Sequence, residues 1–264
     1  MNTSRSIPVR IIILVMVAVV ISGLLIARSY YGKINQATDP RIKPARELYS
    51  QYDGVARGGN FRAVFDLLDS IERIYSATEH YRGSFETGVI ENNRAAAFLT
   101  LALYGDSIDH DKNPFYSIKA DSLVKLADLH VRKAIFIYES WGLEFEGLDE
   151  TEIAEVIKPG FISGFSEEEP EDVMKFLENR VQEIITAQGE NDRRLSVCRT
   201  NLGVVYRYQG AYMEAVEQYE MAIERWDRNL EAENNLNKLL NKPLKKRSII
   251  QKIFPPERGV KKEI

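Results

Sequence analysis

From residue 44 to residue 240 the apolar residues recur at steps of three and four, and no stretch of four to eight residues alternates apolar with polar. This periodicity constrains the fold more than any other feature, because it matches the helical turn and not the pleat of a strand. An all-α chain is therefore expected. A first helix is read at about 44–57, stopped by Gly58 and Gly59. Asn60 caps a second, whose apolar set is Phe61, Val64, Phe65, Leu68, Ile71, Ile74 and Tyr75. A third spans about 85–104 and a fourth about 117–141. Beyond these, Gly147, Pro159, Gly160 and Gly164 mark turns around one short helix at 150–157. Another helix is expected at about 168–188, because the carboxylates of 167–172 favour a helix start and Pro170 is tolerated in a first turn.

Residues 11–27 are apolar throughout and lie between Arg10 and Arg28. As a helix they reach about 25 Å, slightly less than a hydrocarbon core of about 30 Å. The two arginines can snorkel, and Tyr30 and Tyr31 stand where an interfacial aromatic belt is found. A cleaved signal peptide is the competing reading, since Arg5 and Arg10 supply a positive start. Its cleavage site is poor, because Arg28 separates the small residues Ala27 and Ser29. The expectation is a tail at 1–10, a retained transmembrane anchor at 11–29 and a polar linker at 30–43. Basic residues flank the span almost equally, so the positive-inside rule only leans towards an extracytoplasmic domain on a single-pass protein.

A denser pattern begins near residue 196. Leu202, Gly203, Tyr206, Gly210, Tyr212, Ala215, Tyr219 and Ala222 alternate small and large residues at fixed offsets. Gly203, Ala215 and Ala222 are small where two helices approach closely, and Leu202, Tyr206, Tyr212 and Tyr219 fill the wedge between them. Gly210 stands where a helix ends in a left-handed residue. These positions resemble the tetratricopeptide repeat, a helix–turn–helix unit of about 34 residues. The terminal proline of that repeat is replaced by Asp227, and its early aromatic by Arg199. Residues 230–240 resemble the first helix of a following repeat, with Asn235 and Leu236 in phase with Asn201 and Leu202, and are expected to cap the stack. The similarity is explicit at 196–240, within a repeat-plus-cap domain read at 191–241, and fades upstream, where 44–141 reads as divergent helical hairpins. The fold implied is an N-terminal transmembrane helix followed by a right-handed superhelix of antiparallel hairpins, an α-solenoid.

The resemblance also implies a groove for a protein partner, lined by Val197, Thr200, Asn201, Val204, Arg207 and Tyr208. The Lys/Asn pattern that clamps a C-terminal carboxylate is missing, because Thr200 and Val204 occupy two of its positions. The expected function is a non-enzymatic, membrane-anchored scaffold or adaptor, with a fixed accessory subunit or assembly factor of a membrane complex as the alternative. An enzyme carrying a repeat appendage ranks below both.

Charge is unevenly spread behind a net of −4. Residues 143–190 carry fourteen Asp/Glu against three Lys/Arg, and 242–264 carry eight Lys/Arg against two Glu. The stretch 142–190 is thus read as an acidic insert containing a helix, and 242–264 as a basic tail that is disordered, touches anionic lipid or pairs with acidic groups. The acidic balance argues against nucleic acid as a partner. His80, His110 and His130 are scattered, and the loop starting at Asp109 lacks the glycine and glutamate of a calcium site. Cys198 falls beside core positions and is read as a buried thiol. No phosphate-binding loop, dinucleotide fingerprint or nucleophile elbow is present. No cofactor or metal is expected.

Overall fold

The computed structural model describes residues 38–247 apart from Glu167. Among them all regular structure is helical: α1 (Lys43–Arg57), α2 (Phe61–Ala77), α3 (Phe85–Tyr104), α4 (Ala120–Phe145), α5 (Glu150–Ser163), α6 (Pro170–Tyr208), α7 (Tyr212–Arg225) and α8 (Leu230–Leu239), with three short 3₁₀ turns. The expected span at 11–29, the tail at 1–10 and most of the 30–43 linker lie outside the described residues. None of the described helices is long and apolar enough to cross a membrane.

The helix starts follow local chemistry. Asn60 accepts a hydrogen bond from the Ala63 N–H and so begins α2. Asp149 and Glu152 form a reciprocal capping box on α5. Pro44 and Pro170 sit in the first turns of α1 and α6, where a missing N–H costs nothing. Gly59 and Gly210 close α1 and α6 with φ of 66° and 78°, the left-handed geometry expected of them.

Packing proceeds hairpin by hairpin. Helices α3 and α4 run antiparallel, pairing Phe85 with Trp141 and Phe98 with His130. Helix α2 lies on α3 through the Phe65–Phe98 ring contact at 4.7 Å and the Asp69–Arg94 ion pair. Helix α4 lies on the C-terminal half of α6, where Asn191 donates to the Tyr138 carbonyl and Arg199 pairs with Glu139. Helix α7 folds back on α6 and in turn receives α8. One buried apolar cluster runs from Ile42 through Val205, so α1 to α6 share a continuous core.

The acidic stretch departs from its expected form. Helix α6 is one unbroken helix of 39 residues, about 58 Å long, and it absorbs both the helix expected at 168–188 and the first repeat helix. Gly189 does not end it, because both sides of that glycine are pinned. Gln188 donates to the Phe145 and Leu148 carbonyls, and Asn191 to that of Tyr138. Helix α5 likewise runs through Pro159 and Gly160 to Ser163. The ring of Pro159 frees only the Glu155 carbonyl, on an exposed face, while Ile153, Ile157 and Phe161 keep one buried stripe at steps of four. Helix α4 is displaced from its expected bounds, since residues 117–119 remain outside it and Trp141 and Phe145 are both buried within it.

Candidate functional site

The repeat-like unit is built around one close approach. A methyl group added to Gly203 would lie 2.5 Å from the Tyr219 ring, and Tyr219 is itself fully buried. Glycine is therefore the residue that lets α7 seat on α6. The same device recurs in the preceding hairpin, where a methyl at Gly88 would lie 2.8 Å from the Tyr138 ring. Leu202, Ala215 and Ala222 are buried as expected, and Tyr206 holds α4 by accepting a hydrogen bond from Arg132 at 2.9 Å beneath the same guanidinium. Tyr212 differs. It is 59% exposed, because it opens α7 at the turn and points away from the wedge it was expected to fill.

The expected groove residues have separate fates. Thr200 is 3% exposed, and its hydroxyl donates to the Ser196 carbonyl while accepting from Asn229. It is closed to any external ligand. Asn201 donates to Asn92 of α3 at 2.9 Å, Arg207 to Asn235 of α8 at 3.1 Å, and Tyr208 to Asp121 at the start of α4 at 3.1 Å. Val204 packs against the core and Val197 is half-buried at the α8 end. The six thus lie along one helix and stitch α6 to its neighbours, and Arg207, Tyr208, Val204 and Val197 retain surface for a partner.

Two features escaped the sequence reading. Asn229 caps α8 through the Ala232 N–H and donates to both Ser196 and Thr200, and Ser196 donates onward to the Ala222 carbonyl at 2.6 Å. This buried network fixes α6, α7 and α8 together with its polar atoms satisfied. A polar residue immediately before an apolar helix start was the available signal. The second feature is an exposed stripe on α4, Leu129, Phe136 and Leu143, spaced by seven and up to 91% exposed at Leu143.

The interior carboxylates Glu86 and Glu91 are paired with basic side chains. Burial raises the Glu86 carboxyl, but the charge and hydrogen bonds of Arg180 outweigh it and hold the group at about 2. Burial, reinforced by Arg180 and Arg41, pushes His80 down to about 4, so its ring is neutral near pH 7 and accepts from Arg180. Glu91 is opposed by its burial and lowered by hydrogen bonds from His130 at 2.6 Å and Lys133 at 2.5 Å. Burial pushes the Cys198 thiol up. Among the described residues no group of three or more His, Cys, Asp or Glu is placed to hold a metal ion.

No family model, curated protein or solved structure matches this chain.

Proposed function

We propose that this chain is a membrane-anchored, non-enzymatic helical-repeat protein of tetratricopeptide type that recruits a partner protein through the α6 face, with its hairpins continuing as a right-handed solenoid. The observation that carries the reading is the close approach of Gly203 to Tyr219, repeated at Gly88 and Tyr138. It supplies a small-residue crossing within each hairpin, and the separate packing of α4 on α6 supports contact between the second helix of one unit and the first helix of the next. The apolar run at 11–27 supplies the tether, and tethering raises the local concentration of a weakly bound partner. The side of the membrane follows from the charge lean and is proposed as extracytoplasmic.

A fixed-subunit reading is favoured by one observation, the exposed Leu129, Phe136 and Leu143 stripe on α4. Site-specific photo-cross-linking in intact cells separates the two. A photoreactive residue at Tyr208 that yields a discrete protein adduct, with none from Phe136, supports recruitment through the α6 face. A stoichiometric adduct from Phe136 alone favours the subunit. Absence of adducts at both positions defeats both readings. Resistance of the full chain to alkaline extraction from membranes tests the tether.

A further inference from the structure

Residues 242–247, the start of the basic stretch, do not simply leave the fold. After α8 the chain reverses and runs back along that helix: the Lys242 N–H donates to the Asn237 carbonyl at 2.8 Å. Farther along, the carboxamide of Asn234 brackets the Lys245 backbone, accepting from its N–H at 2.8 Å and donating to its carbonyl at 3.0 Å. The Lys245 ammonium pairs with Glu233, and the Arg247 guanidinium donates to the Arg228 carbonyl. The contact points step backwards along α8 and its N-terminal loop, so the segment is antiparallel to the helix. Arg247 lines a concavity shared with Val197, Trp226, Leu230, Glu231 and Asn234.

The register of the repeat identifies this surface. Glu231 and Asn234 stand 34 residues after Val197 and Thr200, the expected groove positions of α6. Thr200 is sealed by Asn229, whereas Asn234 is partly exposed and uses its side chain on a peptide backbone. A carboxamide that meets both the N–H and the C=O of one residue binds main chain whatever the side chain. The selectivity comes from beside it, where Glu233 takes a lysine and the concavity takes an arginine two residues on.

We propose that this surface is a receptor for a non-helical basic segment with lysine and arginine two residues apart, and that residues 245–247 of the same chain are its resident occupant. The inference deepens the recruitment reading by naming a partner class, and it rests on that reading only for its purpose. A partner presenting such a segment competes with the tail. Because the tail is covalently joined, its effective concentration is high, and a peptide in trans binds the native chain weakly.

The test uses the full chain in detergent micelles and a fluorescein-labelled peptide reproducing residues 241–248, followed by fluorescence anisotropy. Charge reversal of the resident segment, Lys245→Glu with Arg247→Glu, is expected to tighten peptide binding at least about tenfold by removing the competitor. Adding Asn234→Ala to that variant is expected to reverse the gain, as is a peptide carrying the same two reversals. Equal affinity of the native and charge-reversed chains overturns the proposal, and so does a gain that survives Asn234→Ala. Circular dichroism confirms that each variant keeps its helices. These outcomes leave recruitment at Tyr208 untouched, because cross-linking reads that separately.

Discussion

At Gly203 and at Asn229 single atoms decide whether two helices meet. The Tyr219 ring leaves no room for a methyl on Gly203, and a fully buried ring has nowhere to retreat. Gly203→Ala is therefore expected to cost about 1–3 kcal/mol, read as a lower urea midpoint by circular dichroism, with Gly88→Ala behaving alike against Tyr138. Asn229→Ala removes a cap and two donors from a buried network. It is expected to cost about 1–3 kcal/mol in the same assay. Of these residues Gly203 was legible in the sequence, because a small residue at a fixed offset implies a close approach. Asn229 was not read, since its partners Ser196 and Thr200 lie 33 and 29 residues away and only the fold brings them together. Thr200 was misplaced for the same reason: a register assigns a face, and the neighbour that covers it must be seen.

Elements show where local signals lose to tertiary ones. The helix expected to end near residue 188 instead continues through Gly189, because Gln188 and Asn191 are held by carbonyls of the α4 end and the loop after it. Gly189 is exposed, and an added methyl there meets nothing within 4 Å. Gly189→Ala is thus expected to stabilise the chain by about 0.5–1 kcal/mol, seen as a raised urea midpoint. Pro159 was read as a turn for an equally local reason, and the buried stripe of Ile153, Ile157 and Phe161 overrides it. The bounds of α1, α3 and α8 were legible to within a residue, and Asn60 marked the start of α2. Their signals are local, whereas those of α5 and α6 depend on what they pack against.

At the scale of the whole molecule, the Arg180 cluster joins α6 to the start of α3 and to the turn that carries His80. His80 is ordinarily protonated below 6.5 but in the fold only below about 4. Between these values the unfolded chain binds more protons, so stability falls as pH drops through that window. Glu86 adds a second loss from 4.5 down towards about 2, where its ion pair with Arg180 is finally protonated. The thermal midpoint is expected to decline steadily below pH 6.5. His80→Gln keeps an acceptor for Arg180 and is expected to flatten the upper part of the decline; an unchanged slope would remove His80 from the account.

The same scale holds the polarity of the chain. Its acidic stretch is folded into α5 and α6, its repeat-like unit binds neighbours through Arg207 and Tyr208, and residues 242–247 turn back onto α8. Recruitment through the α6 face is the centre of this account, and one comparison tests it most directly. The tagged full chain and its Arg207→Ala, Tyr208→Ala double variant are purified from gently solubilised membranes and their co-purifying proteins quantified. The account predicts a salt-sensitive, substoichiometric partner that the native chain retains and the double variant loses, with both chains equally folded. Retention of every partner by the double variant would contradict it.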